Sequence, residues 1–315
     1  MFVHGIGPTR DVEKTRIEWI EALARGAARA GHRQLAARLG DGSEVETVFA
    51  YYGDLFTDPG AQGGGAEPDD EEAAFLHAYL LEVVDQRLAE VDPADPEAEQ
   101  WRRAREELAG AGVAQGPGFA ARQVLNVAGA IMSFGPLSRP GQWAGRKLLV
   151  RDLSQVGRYL RRREPDADGR TLDARIRARI QTAIGDRPAV VIAHSLGSVV
   201  GVESLHDSGP TPPIPLLVTV GSPLAMRTVV WPHVQPRPPR TPDRVARWLN
   251  FWDRDDVIAA RPRLEDFFGA NAAGVVPVTD RVDSDGLWTH SATKYLEQPA
   301  VAGPVAEALA GPATG

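Results

Sequence analysis

A serine lies between two apolar runs in Ala189–Val200, AVVIAHSLGSVV, with His194 immediately before it. An unassisted serine hydroxyl is a poor nucleophile at neutral pH. It needs a base within hydrogen-bond reach, a group that orients the base, and donors for the developing oxyanion. A sharp turn from strand to helix exposes such a serine, provided that the residues two before and two after it are small. Here those residues are Ala193 and Gly197, so the pentapeptide is A-H-S-L-G, with alanine where glycine is commoner. The competing reading is a serine that merely caps a helix beginning at Leu196. The pentapeptide alone leaves both readings open.

Three other segments carry groups that could serve this serine. His4-Gly5-Ile6-Gly7 ends a short apolar run and reads as a glycine turn whose backbone approaches a neighbour closely. The Gly-Lys-Ser/Thr ending of a phosphate loop is absent from it. Asn250–Val257, NFWDRDDV, places Asp253, Asp255 and Asp256 just past a strand signal. Leu287–Tyr295, LWTHSATKY, holds His290, the only histidine C-terminal to those acids. The chain order is therefore Ser, Asp, His.

In these residues the sequence resembles the α/β-hydrolase superfamily, in particular lipase-like members with a His-Gly-Ile-Gly loop. The likeness covers most of residues 1–55 and 171–298. It implies Ser195 as nucleophile and His290 as base, with the acid in an Asp-x-Val setting that maps to Asp255, Asp256 and Asp253 being competitors. It implies backbone N–H donors at Ile6 and Leu196 for the oxyanion, and His4, Gly5 and His194 beside the substrate. Local packing or bonding is the alternative for the two histidines. Leu216–Pro223, LLVTVGSP, matches a strand that often follows the nucleophile helix in this family, and supports the fold without adding chemistry. Ser222 is disfavoured as a second nucleophile because Pro223 lacks the backbone N–H an oxyanion would use. The function implied is a serine hydrolase of the esterase or lipase kind, cleaving a carboxylic ester through an acyl-enzyme, with no metal and no cofactor. A thioesterase, amidase or acyltransferase would use the same residues. A non-catalytic interaction module on the hydrolase fold is the alternative from another class.

Positioning these residues requires strands that alternate with helices. Strand signals fall at 1–4, 45–52, 189–194, 214–220, 245–251 and 275–282, and helix signals between them. The expected fold class is α/β, a mostly parallel sheet of about six strands with helices on both faces. The two antiparallel strands that the family usually places first are missing. Residues 1–56 and 166–298 form the expected core, 57–165 an inserted helical lid or cap, and 299–315 a C-terminal tail. Within the insert, Asp70 and Asp95-Pro96 open two helices. The segment 118–134 is apolar but too short to span a bilayer. A helix over 142–163 carries Leu149, Leu153, Val156 and Leu160 on one face amid arginines. It is expected to pack its leucines on the core with arginines in water. Peripheral contact with anionic lipid is the alternative.

Composition bounds the rest. With no cysteine, disulfides, thiolate metal sites and a cysteine nucleophile are excluded. A net charge of −7 argues against bulk nucleic-acid binding. The expected partner is a small-molecule or lipid ester. Neither a secretory signal nor a bilayer-length apolar run is visible, so the expected location is cytoplasmic.

Overall fold

The computed structural model describes residues 1–6, 11–41, 45–56, 69–110, 153–207, 212–256, 259–260, 263–284 and 290–310. Six strands form one open, all-parallel sheet: β1 Phe2–Val3, β2 Phe49–Ala50, β3 Val191–His194, β4 Leu217–Val220, β5 Trp248–Asp253 and β6 Pro277–Val282. Their order is β2-β1-β3-β4-β5-β6. Every strand signal in the sequence corresponds to a strand, but the ordered ladders are shorter, two residues each in β1 and β2.

Strands β1 to β5 are largely buried and mostly apolar, with both faces of the sheet covered there, whereas edge strand β6 is half exposed. Val3, Val191, Ala193, Leu217 and Trp248 enter one hydrophobic cluster, and Phe2, Val190, Ile192, Val218, Leu249 and Phe251 enter the other. This is the period of two expected when adjacent side chains point to opposite faces. Helices α1 Val12–Arg29 and α2 Arg33–Asp41 cover the second face. Asp11 caps α1 by accepting from the Lys14 N–H at 3.0 Å.

Helices α3 Asp70–Glu90 and α4 Pro96–Ala109 belong to the insert. Asp69, one residue before the expected cap, accepts from the Glu72 N–H at 2.7 Å, and Pro96 opens α4 behind the Asp95 cap. A further helix, α5, is described over 153–161. Residues 118–134, and 142–152 of the expected basic helix, lie outside the described residues. Leu76, Tyr79, Trp101, Leu108, Leu153, Val156 and Leu160 share the first cluster with the sheet.

The leucine face of α5 is thus inside, as expected, but its arginines are not simply in water. Arg158 bonds Glu164 at 2.5 Å, Arg161 bonds Glu72 at 3.3 Å, Arg162 bonds Glu203 at 2.7 Å, and Arg163 bonds Glu71 at 3.1 Å. Among the described residues these cations pair with acids of the protein itself, one of them, Glu203, buried.

The core resumes with α6 Leu172–Ile184, β3, and α7 Leu196–Ser204. After β6 come α8 Ala292–Leu296 and α9 Pro299–Ala310. Helix α9 corrects the expected tail at 299–315. Its small residues Ala302, Val305 and Ala306 are buried in the second cluster, where their size allows close packing on α1. No helix among the described residues is long and apolar enough to cross a membrane.

One buried charge cluster ties the insert to the core. The wholly buried Glu203 on α7 accepts from the Tyr159 hydroxyl at 2.7 Å, from Arg162 at 2.7 Å and from the Gln235 N–H at 2.9 Å. Arg162 also bonds Asp173 at 2.9 Å. Removing the carboxylate strands a partly buried guanidinium and a buried hydroxyl, which costs about 3–5 kcal/mol. Glu203→Ala is therefore expected to lower the thermal midpoint by roughly 5–8 °C in a calorimetric scan, given the unfolding entropy of a chain this long.

Candidate active site

The sheet order reverses beside β1. The chain leaves β1 for β2 on one side and returns past it to β3 on the other. In open α/β sheets the loops diverge at such a point and leave a crevice outside the carboxyl ends of the strands. His4-Gly5-Ile6 follows β1 and Ser195 follows β3, so both segments meet at this crevice.

Ser195 has φ 54° and ψ −130°, in the region that L side chains rarely adopt. Holding a non-glycine residue there costs on the order of 1–3 kcal/mol and persists only where the surroundings enforce it. They do so at both ends of the peptide unit. The Ser195 N–H donates to the Val220 carbonyl at 3.1 Å, and its carbonyl accepts from the Ser198 N–H at 2.9 Å and the Ser198 hydroxyl at 2.6 Å. Ser195 makes no side-chain cap bond to its helix, so the capping reading of this serine fails.

The small residues around it are used as steric space. A Cβ on Gly5 would lie 2.6 Å from the Cβ of Ser195, and one on Gly197 would lie 2.3 Å from the His4 carbonyl oxygen. Only glycine lets the first loop and α7 approach the serine this closely. Alanine is tolerated at 193 because it faces Gly201, where even an added Cβ would stand 3.5 Å away.

The His290 imidazole reaches Ser195. Its Nε2 is 3.0 Å from the serine Oγ. Its Nδ1 is 3.0 and 2.8 Å from the two carboxylate oxygens of Asp256. A carboxylate facing Nδ1 requires the proton there, which leaves Nε2 as the acceptor for the serine hydroxyl. Ser195 is 1% exposed and Asp256 0% exposed, so little water competes for these bonds.

The acid that faces His290 is Asp256 and not the expected Asp255. The chain turns tightly past β5, with the Asp256 N–H on the Asp253 carbonyl at 3.1 Å. The three acids then take separate tasks. Asp253 is buried and accepts from the Ser284 N–H and hydroxyl, both at 2.6 Å. The Asp255 side chain, 43% exposed, lies outside the turn and pairs with Arg254 at 3.5 Å and Arg87 at 3.8 Å. Asp256 turns inward to the imidazole. Neighbouring side chains on a turn diverge, so only one of the adjacent pair could face His290.

Leu196 is the first residue of α7, where backbone N–H groups lack an intrahelical acceptor and the helix dipole is positive. Ile6 follows Gly5, which lies against Ser195. Gly7, Val257 and Leu287–Thr289 of the sequence segments lie outside the described residues.

His4 and His194, expected beside the substrate, are buried and engaged with backbone. His4 accepts the Tyr52 N–H at Nε2, 3.2 Å away, and donates from Nδ1 to the Gly5 carbonyl. The Tyr52 ring stacks on it at 4.2 Å, and the Tyr52 hydroxyl donates to the His4 carbonyl. His4 therefore fixes the course of the first loop. His194 Nε2 donates to the His290 carbonyl at 2.7 Å, with the two rings 4.8 Å apart. It ties the loop of the base to the strand of the serine.

The Gly-Ser-Pro segment, expected to support the fold without adding chemistry, supplies further supporting residues. Gly221 has φ +56°, and a Cβ there would lie 3.1 Å from Asp256 Oδ2 and 3.4 Å from His290 Cε1. Ser222 accepts from the Leu224 N–H at 3.2 Å and is 2.6 Å from the Ser198 hydroxyl, which in turn holds the Ser195 carbonyl. The Gly-Ser-Pro segment thus braces the turn that carries the serine. Among the described residues, no cluster of acids and histidines could hold a metal ion. Comparison with family models, curated proteins and solved structures gives no match.

Proposed function

We propose that this chain is a serine hydrolase of the α/β-hydrolase kind, cleaving a carboxylic ester through an acyl-enzyme on Ser195. The observation that carries this reading is the continuous path Ser195 Oγ, His290 Nε2, His290 Nδ1, Asp256 carboxylate, with every step between 2.8 and 3.0 Å. As the serine oxygen attacks the ester carbonyl, its proton passes to Nε2. Buried Asp256 stabilises the resulting imidazolium and holds its orientation. The N–H groups of Leu196 and Ile6 receive the carbonyl oxygen as it becomes an oxyanion. Collapse of the tetrahedral intermediate breaks the carbon–oxygen bond, and the alcohol leaves with the proton from Nε2. A water then attacks the acyl-enzyme, giving its proton to the same nitrogen, and the acid departs with Ser195 restored. A thiol or amine leaving group, or an alcohol acceptor in place of water, uses the same steps.

Labelling with a fluorophosphonate probe tests this directly, since the reagent phosphonylates only an activated serine. Wild-type protein is expected to label at Ser195, identified by peptide mass, and Ser195→Ala to remain unlabelled. A folded wild type that neither labels nor turns over p-nitrophenyl esters of any chain length would support the non-catalytic alternative.

A further inference from the structure

The carboxylate of Asp256 has a third partner beyond His290 and the Ala259 N–H at 3.2 Å. The Tyr295 hydroxyl donates to its Oδ2 at 2.7 Å and accepts the Asp253 N–H at 3.1 Å. Tyr295 lies on α8, five residues past His290, so one short segment brings both the imidazole and a hydroxyl donor to the same carboxylate oxygen, Oδ2. The ring is 1% exposed and packs in the second hydrophobic cluster. Burial first, and then the charge of Asp256, push its hydroxyl well above the usual tyrosine range, so it stays a proton donor.

Resting on the hydrolase reading, we infer that Tyr295 is a positioning residue. It pins the Asp256 carboxylate in the plane that meets His290 Nδ1 and shares its negative charge with the imidazole's N–H. A carboxylate held by several donors is fixed in rotation and presents less charge to each. Loss of the hydroxyl takes one donor from Oδ2, the oxygen 2.8 Å from His290 Nδ1, and concentrates charge toward the imidazole, which favours the imidazolium in the resting enzyme. Other charged or titratable groups lie around the pair among the described residues. Asp253, at the end of β5, is saturated by Ser284 and the Asp255 N–H at 2.8 Å. Tyr79 on α3 lies within electrostatic reach of Asp256. The His194 ring of β3 is 6.4 Å from that of Tyr295 and is bonded to the His290 carbonyl. Asp255 and Arg87 pair outside the turn.

Two variants of the full chain test the inference in opposite directions. Tyr295→Phe keeps the ring and removes the donor. It is expected to lower kcat by roughly ten- to a hundredfold through misplacement of the acid. KM should be unchanged, because the residue does not touch substrate. The acidic limb of the kcat/KM profile moves to higher pH. A ring-fluorinated tyrosine at 295 is nearly isosteric and a stronger donor, so it should fold where Phe does not, and it moves the limb to lower pH. The far-downfield proton resonance of the His290 Nδ1–H, read in a Ser195→Ala background, is expected to shift in opposite senses for the two variants whether or not the protein turns over an ester. Unmoved limbs and an unmoved resonance in the fluorinated protein would overturn the inference. Shifted resonances in a protein without hydrolase activity would uphold the coupling and count against the proposed function instead.

Discussion

Ser195→Ala and His290→Ala are each expected to lower kcat on an activated ester by about a millionfold, and the double variant to lose scarcely more. The near-equality follows from the geometry. The serine oxygen acquires its nucleophilicity only while Nε2 accepts its proton, and at 3.0 Å this nitrogen is the hydroxyl's partner across the crevice. Removing either end abolishes the same event, so the second deletion has nothing further to remove. The residual rate, about 10³–10⁴ over uncatalysed hydrolysis, would reflect substrate binding and the backbone donors. Steady-state kinetics on p-nitrophenyl esters of graded chain length measure this, with circular dichroism confirming the fold of each variant. Additive losses in the double variant would mean that serine and histidine act independently, and the proton path proposed above would be wrong.

Much of this arrangement was legible in the sequence because it is encoded in patterns of short range. The alternation of apolar strands with amphipathic helices specifies a parallel sheet. The turn at Ser195 is flanked by residues whose smallness has one geometric purpose. The order of Ser195, the Asp253–Asp256 acids and His290 restricts which residues can meet. What was not legible depends on contacts between distant segments. Strands β1 and β2 shrink to two-residue ladders because flanking residues such as Val45 leave the sheet's hydrogen-bonded register, which propensity does not reveal. Helix α9 falls within the stretch expected as a tail because Gly303 and Pro304 interrupt an otherwise alanine-rich helix signal, and its order comes with packing on α1. For His4 and His194 the sequence allowed a place beside the substrate or local bonding, and the local bonding is what the structure has: each ring is held by a backbone carbonyl of the loop it orders. Gly221 was visible as part of the Gly-Ser-Pro match but not its contact with the acid and base, and Tyr295 gave no sign of its role. Their roles exist only where β4, the β5 turn and α8 converge.

Which acid serves His290 turns on a single residue of register, and the outcome separates sharply. Asp256→Asn is expected to reduce kcat by about ten-thousandfold with little change in stability. The amide retains the shape of the carboxylate and still accepts from Tyr295, but it can present N–H to Nδ1. The imidazole would then carry its proton on Nε2, facing Ser195, in the tautomer that cannot accept the hydroxyl's proton. Asp255→Asn should leave turnover within about twofold of wild type. Its side chain is 43% exposed and faces away from His290, toward Arg254 at 3.5 Å and Arg87 at 3.8 Å, and an exposed ion pair is worth about 0–1 kcal/mol in water. Asp253→Asn should act on stability first, because that carboxylate accepts two short bonds from Ser284 and holds the segment after β6. The three variants, assayed side by side for kcat and thermal midpoint, thus have three distinct signatures. Were Asp255→Asn the one to lose turnover, the turn past β5 would have to present residue 255 inward during catalysis, and Asp256, with its bonds to His290, Tyr295 and Ala259, would be a structural acid instead.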